Sequence, residues 1–367
     1  MSRKGPVTWK QRLAWRLQYL ALRLVEMALQ CFSMEANLVT ARWAGSLLYR
    51  FDKKHRLRAL ENLRASFPDA GEKQLDRIAR CSCEHLVMVG AEVLCLPRLM
   101  HFGRFLDYID FSQCMDMFQY ISSGKPAILV TGHFGNWEMV GYSMAAMGFP
   151  PTSVARPLDN PYLNEHILRL RERTGQKILF KEGMTDDALA ALRRGRPLGL
   201  IADQDAGRRG FFVDFFGRKA SAYKSIAYLA MEENIPIIVG GAYRLGRRFR
   251  YRLVAVDIIH PSEYPKGLDG AIAITERYTA GIEKTVRLAP DQYLWVHRRW
   301  KTRPPQERKK NAKPSPPRRR DAHQPTMMSS RPAPGQTARW AISDEVPRGQ
   351  PSTANRAATT RGPASKT

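Results

Sequence analysis

The spacing of hydrophobic positions changes along the chain, and this change predicts two structural regions. Over residues 8–118, apolar side chains recur every three or four residues, as in amphipathic helices, and no long alternating pattern of a strand occurs. After residue 118, short apolar runs alternate with helical segments. This alternation is typical of α/β domains, so we predict a helical N-terminal region followed by a mixed, mostly parallel sheet flanked by helices.

The short apolar runs predict the strands of this sheet. They span residues 126–131, 152–155, 177–180, 198–202, 237–243 and 250–256. Leu-Gly-Arg-Arg at 245–248 is typical of a hairpin connection, which would add an antiparallel edge. Helices are predicted between the strands and after them, including residues 221–233 and 269–287.

The first 35 residues contain an amphipathic segment. On a helix, three arginines lie on one face, and an apolar stripe lies on the other: Leu13, Leu17, Leu20, Leu24 and Met27. Such a helix either lies in a membrane interface, with its arginines on lipid phosphates, or packs on the core of the protein. No stretch approaches the roughly 20 apolar residues that a membrane span requires.

Charge and composition narrow the function classes. The formal net charge is +25, and residues 1–300 keep 44 Lys and Arg against 30 Asp and Glu, so the body of the protein is basic without its C-terminal part. Basic bodies bind nucleic acid, anionic membranes or phosphorylated substrates. The five cysteines and eight histidines show no metal-ligand spacing, so no metal is expected. From Pro304 onward, eleven prolines and several basic runs predict a disordered tail.

A histidine and a glutamate follow the first predicted strand. Gly132 lets the backbone turn, and His133 comes just before helical spacing begins near Asn136. His133 is thus expected at the carboxyl end of a strand, where open α/β sheets build active sites. A neutral imidazole there can take a proton from a hydroxyl if a carboxylate fixes its tautomer. Alternatively, both residues have structural roles. His133 would cap the helix, and the negative charge of Glu138 would interact favourably with the positive end of the helix dipole.

Two arginines could bind an anionic substrate. Arg156 follows the strand at 152–155, where a guanidinium could hold a phosphate or carboxylate through two hydrogen bonds. Arg171 lies on the following helix and could do the same, or it could pair with Glu138.

Two aspartates follow the strand at 198–202. Either Asp203 or Asp205 could orient His133, which would leave Glu138 for ion pairing, or both could simply form a turn. Next comes an aromatic run at 211–217, which could line a groove for an alkyl chain or belong to the core. A nucleotide site and a serine nucleophile are not supported, because the chain has neither a glycine-rich phosphate loop nor a Gly-x-Ser-x-Gly elbow.

Taken together, these segments resemble the bacterial lipid A biosynthesis acyltransferases, the lauroyl and myristoyl transferase family of the lysophospholipid acyltransferase-like superfamily. The matching elements are Gly-His-Phe-Gly-Asn-Trp-Glu at 132–138, Ala-Arg-Pro-Leu-Asp-Asn-Pro at 155–161 with 171–175, Asp-Gln-Asp at 203–205, Phe-Phe-Gly at 215–217, the closing motif at 295–304, and Asn62-Leu63 with Phe67-Pro68. The chain departs from the family at 220–224, where Ala-Ser-Ala-Tyr-Lys replaces threonine-rich polar residues.

The resemblance implies a membrane-associated enzyme with a glycerolipid acyltransferase-like fold. It would move a fatty acyl group from an acyl carrier protein or acyl-CoA thioester to a hydroxyl of a lipid A precursor. Its partners would be this donor, a phosphorylated glycolipid acceptor and the cytoplasmic face of the bacterial inner membrane. No nucleic acid and no cofactor are expected. The alternative acceptor is another envelope glycolipid or a lysophospholipid.

The resemblance also implies roles for single residues. His133 matches the catalytic base, and Glu138 matches the acidic member of the His-x4-Asp/Glu motif. In the related acyltransferases of mannosylated phosphatidylinositol, the pattern suggests that an acidic residue matching Asp203 holds the histidine, while Glu138 pairs with Arg171. The candidates for substrate binding are Arg156, Arg171, Asp205 and Asn136.

With this resemblance the chain divides into three parts. Residues 1–35 are predicted to form an amphipathic membrane-associating helix, residues 36–303 the acyltransferase domain, and residues 304–367 a disordered, basic, proline-rich tail.

Overall fold

The computed structural model describes residues 7–100, 104–180 and 184–307. Its N-terminal part is helical, and the first three helices each begin at a side-chain cap, where Thr8, Ser33 and Asp52 accept hydrogen bonds from backbone amides of the first turn. These helices and the next are α1 (Trp9–Gln30), α2 (Met34–Phe51), α3 (Lys53–Ser66) and α4 (Glu72–Leu99).

The strands of the central sheet are β1 (Ile109–Gln113), β2 (Ile128–Thr131), β3 (Thr152–Ala155), β4 (Lys177–Phe180), β5 (Leu198–Ile201), β8 (Ile237–Arg244) and β9 (Tyr251–Ile259). They lie in the order β1-β9-β8-β2-β5-β3-β4. All neighbouring pairs are parallel except β8 and β9, which form an antiparallel hairpin. A separate two-stranded hairpin consists of β6 (Phe211–Phe215) and β7 (Arg218–Ala222).

Helices cover both faces of the sheet. On one face, alternate residues such as Val130 and Val239 share a buried cluster with Ile282, whereas Leu129 and Ile238 share a second cluster with Met139. The helices of this part are α5 (Met115–Ser122), α6 (Trp137–Ala146), α7 (Pro161–Glu172), α8 (Met184–Arg193), α9 (Lys224–Glu233) and α10 (Leu268–Leu288). The predicted fold class, a helical N-terminal region followed by a mostly parallel mixed sheet between helices, is confirmed.

Two local predictions were wrong. Residues 109–113 were expected to be helical but form β1, an edge strand that pairs with β9. The alternation Ile-Asp-Phe-Ser-Gln is too short to be recognised as a strand within a region of helical spacing. Its structure depends instead on pairing with β9, which lies far away in the sequence. Residues 221 and 222 were expected to begin a helix but end β7, and the helix begins at Lys224.

Helix α1 contacts the rest of the protein through its polar face. The side chain of Asn160 donates to Trp15 O at 3.0 Å, and Arg16 Nε donates to the hydroxyl of Tyr162 at 3.3 Å. His166 Nε2 lies 2.9 Å from a carboxylate oxygen of Glu26.

The predicted apolar stripe of α1 faces away from these contacts. Its five side chains are each about half exposed, between 49% and 57%. Arg16 and Glu26 of the polar face thus contact the protein, and Leu29 packs against its core, while the five side chains of the stripe stay exposed. None of the described helices is both long and apolar enough to cross a bilayer. The tail predicted at 304–367 lies outside the described residues from 308 onward.

Candidate active site

Two neighbouring strands carry the centre of the site. In the parallel pair β2 and β5, Thr131 lies opposite Ile201. Two residues beyond each of these, both chains leave the sheet at its carboxyl edge, which places His133 beside Asp203. Gly132 permits this approach, because a Cβ at this position would lie 3.2 Å from Asp203 Oδ2.

Asp203 holds His133 through two hydrogen bonds. Nδ1 of His133 lies 2.8 Å from Oδ1 of Asp203, and the backbone N–H of His133 donates to Oδ2 at 2.8 Å. Because the ionised carboxylate can only accept a hydrogen bond, the neutral imidazole carries its proton on Nδ1 and donates it to Asp203. Nε2 is then the basic nitrogen.

Charge coupling sets the protonation of this pair. Burial alone would lower the pKa of His133, but the charge of Asp203, its hydrogen bond and the charge of Glu138 outweigh burial and raise that pKa. Burial alone would raise the pKa of Asp203, yet the charge of His133 and its hydrogen bonds hold that pKa far below its usual range. The arrangement therefore combines a fixed carboxylate with an imidazole whose basicity is increased.

The chain segment after α10 fixes the backbone around His133. Leu294 N donates to His133 O at 3.0 Å, and Gly135 N donates to Gln292 O at 3.0 Å. Gly135 has φ +54°, and a Cβ there would lie 1.8 Å from Ala242 O, so only glycine fits this turn.

Glu138 pairs with Arg171 rather than with His133. Nε of Arg171 donates to Glu138 Oε2 at 2.9 Å, and Nη2 donates to Oε1 at 2.5 Å. The pair is mostly buried, with 25% and 12% of the two side chains exposed. Of the two roles open to Arg171, the structure thus shows the ion pair with Glu138.

Asn136 has a structural place. Its side-chain oxygen caps α6 by accepting from Met139 N at 3.0 Å, and its Nδ2 donates to Glu92 at 2.8 Å. Glu92 is fully buried and also binds Arg244 and the hydroxyl of Tyr251. The expected substrate contact of Asn136 needs correction, because both ends of its buried amide are engaged within the protein.

The other predicted substrate-binding residues lie apart from the His133–Asp203 pair. Asp205 accepts a hydrogen bond from Thr302 at 2.7 Å, so it does not orient His133. Arg156 is exposed just beyond β3. It is thus accessible to an anionic group from solution.

A narrow, mainly apolar cavity of about 120 Å³ lies between one face of the sheet and α6. Apolar lining residues include Leu129, Val140, Ile178, Leu200, Ile238 and Leu253. Trp137, Glu138 and Arg171 also line it. Trp137 connects the cavity to the histidine, because its ring lies edge-on to His133 with centroids 5.0 Å apart.

The aromatic run at 211–217 is largely core. Phe215 and Phe216 are buried, and the ring of Phe216 contacts Trp295 at a centroid distance of 5.5 Å. The sequence left open whether the run lines a groove or belongs to the core, and the structure shows core packing for these two rings.

His297 and Glu92 belong to the site region, although neither is among the predicted site residues. The ring of His297 lies against His133 with centroids 4.4 Å apart. Its sequence signal is the closing motif at 295–304, in which it is the only histidine. The signal of Glu92 is a single acid within the otherwise apolar run 86–96.

Among the described residues, one group of side chains lies close enough together to hold a metal ion: His133, Asp203 and His297. Their ligand atoms all lie within 4.8 Å of one another. In the observed arrangement Nδ1 of His133 and Oδ1 of Asp203 are bonded to each other. A metal ion would have to share or break that bond, so the geometry favours proton transfer over metal binding.

The chain is similar in sequence to known lipid acyltransferases. The chain is 26% identical over 267 residues to the lipid A biosynthesis lauroyltransferase of Escherichia coli, covering 71% of this chain and 83% of that protein. It is 25% identical over 254 residues to a lipid A biosynthesis acyltransferase of Haemophilus influenzae, covering 68% and 77%.

A third relative is named for a different lipid. The phosphatidylinositol mannoside acyltransferase of Mycolicibacterium smegmatis is 29% identical over 161 residues, which cover 43% of this chain and only 53% of that relative. Bacterial lipid A biosynthesis acyltransferase is the family whose sequence pattern matches residues 14–302. The chain therefore belongs to the bacterial lipid A biosynthesis acyltransferase family, whose members transfer acyl groups.

Proposed function

We propose that this protein transfers a fatty acyl group from a thioester donor to a hydroxyl of a phosphorylated lipid A precursor, with His133 as general base. The observation that carries the proposal is the hydrogen-bonded pair of His133 and Asp203 at adjacent carboxyl ends of parallel strands. The relatives named for lipid A biosynthesis support the acceptor class.

The chemistry follows from the orientation of His133. With Nδ1 bonded to Asp203, Nε2 takes the proton of the acceptor hydroxyl as its oxygen attacks the thioester carbonyl. The new C–O bond forms, the C–S bond breaks, and the leaving thiolate takes the proton back from His133. Asp203 stays ionised throughout and stabilises the imidazolium. No acyl-enzyme forms, since the mechanism needs no nucleophilic side chain.

The apolar cavity is suited to the acyl chain. Trp137 both lines this cavity and touches His133. A chain inserted there would hold its carbonyl end near the imidazole. The ion pair of Glu138 and Arg171 then stiffens the cavity wall, and its negative member supports the protonated form of His133.

The outer surface of the protein supports a peripheral position on the cytoplasmic face of the inner membrane. The α1 stripe is exposed, and α2 carries exposed apolar side chains at four-residue spacing: Val39, Trp43, Leu47 and Phe51. A bilayer interface is the environment in which such surfaces become buried. Arg156 and the basic body would then meet the phosphates of the acceptor.

A second acceptor class is a mannosylated phosphatidylinositol or a related envelope glycolipid. The specific observation in its favour is the 29% identity to the phosphatidylinositol mannoside acyltransferase. Both acceptors combine a hydroxyl with an anionic phosphate, so the same base would serve either.

The test uses the full-length protein in detergent with two donors, an acyl carrier protein thioester and the matching acyl-CoA. Acceptors are a lipid A precursor and a phosphatidylinositol mannoside, and products are identified by mass spectrometry. His133→Ala should lower turnover by at least about 10²-fold with unchanged thermal unfolding. The control is His260→Ala, since His260 is exposed and should leave turnover unchanged. Full activity in His133→Ala would overturn the proposal.

A further inference from the structure

A second imidazole lies against the base. The rings of His297 and His133 are 4.4 Å apart between centroids and inclined at 58°. A nitrogen of His297 lies within 4.8 Å of the corresponding ligand atoms of His133 and Asp203. No described residue forms a hydrogen bond with a ring nitrogen of His297. Its polar ring is therefore available to a substrate at the position where the base operates.

His297 is held in its neutral form. Burial and then the positive charge of His133 lower the pKa of His297 to about 4, against the opposite influence of Asp203. Two adjacent imidazoles cannot both carry charge at low cost, and the carboxylate is bonded to His133 alone. A neutral imidazole keeps one N–H donor, and that donor is not consumed by an ion pair.

The backbone of His297 is fixed from helix α3. The buried side chain of Asn62 donates to Trp295 O at 2.8 Å and to His297 O at 3.1 Å. Arg58 donates to Val296 O at 3.3 Å. A donor whose backbone is anchored in this way needs little reorganisation when charge develops beside it.

Acyl transfer creates such a charge. When the acceptor oxygen adds to the thioester, the carbonyl oxygen becomes an oxyanion and requires hydrogen-bond donors. We propose that His297 is a second catalytic residue, which donates its ring N–H to this oxyanion while His133 removes the acceptor proton. This inference rests on the proposed acyl transfer and adds to it the group that stabilises the tetrahedral intermediate.

The step balances without a co-reactant. The electron pair of the carbonyl π bond moves to oxygen, where the N–H of His297 binds it. It returns as the C–S bond breaks, and the thiolate leaves with the proton held by His133. His297 begins and ends neutral.

The experiment compares His297→Phe with His297→Gln in the full-length protein, with an acyl carrier protein thioester and a lipid A precursor. Phenylalanine keeps an aromatic ring against His133 but has no donor, whereas glutamine keeps an N–H donor but no ring. Loss of one oxyanion donor should lower kcat of His297→Phe by about 10²–10³-fold, with KM for the donor changed less than about threefold. His297→Gln should turn over at least about 10-fold faster than His297→Phe.

The opposite order would overturn the inference. If His297 only packs against the base, His297→Phe will be the more active variant. Near-normal kcat in His297→Phe, alongside an inactive His133→Ala, would also reject the role of His297 while leaving the proposed function intact. Activity in His133→Ala would instead reject the proposed function. Should phenylalanine prevent folding, as judged by thermal unfolding, His297→Leu replaces it as the variant without a donor.

Discussion

At the level of single residues, the carboxylate of Asp203 sets the state of His133. It fixes the tautomer through Nδ1, and it raises the pKa of the imidazole despite burial. Glu138 adds a smaller effect in the same direction, while His297 stays neutral beside the base. Removing the charge of Asp203 should therefore alter both the maximal rate and its dependence on pH.

For Asp203→Asn we expect kcat/KM to fall by about 10²–10⁴-fold, because the base loses its fixed tautomer. The pH profile should shift as well. The active imidazole is neutral, so activity falls as pH drops through the pKa of His133. Since Asp203 raises that pKa, its loss should move the acidic limb of log kcat/KM to lower pH. Steady-state rates between pH 5 and 9 in a constant-ionic-strength buffer measure both effects, with the pH range chosen around the ordinary histidine pKa of about 6.5.

Asp205→Asn is the matched control, with the same chemical change two residues along the chain. Asp205 accepts a hydrogen bond from Thr302 and does not contact His133. The acidic limb of the Asp205→Asn profile should therefore coincide with that of the unaltered protein. A profile of Asp203→Asn that superimposes on the unaltered one would show that Asp203 does not govern the base.

Residue identities could be predicted where a short motif carried the chemistry. His133, Glu138, Asp203 and Arg171 were all named as candidates, and strand register explains why His133 and Asp203 meet. The choice among carboxylates for His133 could not be made from spacing alone, because it depends on which strands are neighbours. Asn136 was misplaced for a related reason: its partner Glu92 lies 44 residues away on another helix.

At the level of elements, a buried ionic network joins α4, α6 and the β8–β9 hairpin. Glu92 on α4 binds Arg244 at the end of β8, the hydroxyl of Tyr251 at the start of β9, and the capping Asn136. The side chains of Glu92 and Arg244 are 0% and 2% exposed. Such a pair contributes little net stability, but removing one partner leaves an uncompensated buried charge.

Glu92→Ala should therefore lower the free energy of unfolding by about 3–5 kcal/mol. Urea denaturation followed by far-UV circular dichroism measures this loss. Glu165→Ala provides the contrast, because Glu165 and its partner Arg169 are 64% and 72% exposed, and this change should cost less than about 1 kcal/mol. Equal losses in the two variants would show that the buried network does not hold these elements together.

Elements with strong local periodicity were predicted well, and those that depend on distant pairing were not. Strands β3 and β4 begin and end at the predicted residues, and the turn at 245–248 joins β8 to β9 as expected. β1 escaped prediction because its pairing partner β9 lies over 130 residues later. The β6–β7 hairpin was not predicted, because residues 211–216 contain a single polar residue, Asp214, and so lack the regular alternation of apolar and polar positions that indicates a strand.

At the level of the whole molecule, the sequence predicted the order of its parts better than their orientation. The amphipathic character of α1 was evident, but the sequence left open whether its arginines meet lipid phosphates or the helix packs on the core; in the structure Arg16 and Glu26 contact α7. Periodicity reveals that a helix has two faces, but it cannot determine which face the protein covers. That choice was made by polar partners on α7, about 145 residues away in sequence.

The exposed α1 stripe gives the proposed membrane association a direct test. Leu17 and Leu24 lie on it at 57% and 55% exposure, and they contact a bilayer if the stripe enters the interface. Each leucine removed from water contributes about 1.5–3 kcal/mol when fully buried. Leu17→Glu combined with Leu24→Glu should therefore weaken binding to anionic phospholipid vesicles by at least about 10-fold, as measured by co-sedimentation.

The control must carry the same change in charge, because the basic body also attracts anionic lipid. Gln113→Glu combined with Gln119→Glu supplies it at two exposed positions away from α1. Binding through charge alone predicts equal losses in the two double variants and release of the unaltered protein by high salt, since salt screens surface charge. Binding through the apolar stripe predicts a larger loss in the leucine variant and retention in high salt. Equal losses in both would exclude the α1 stripe as the membrane contact.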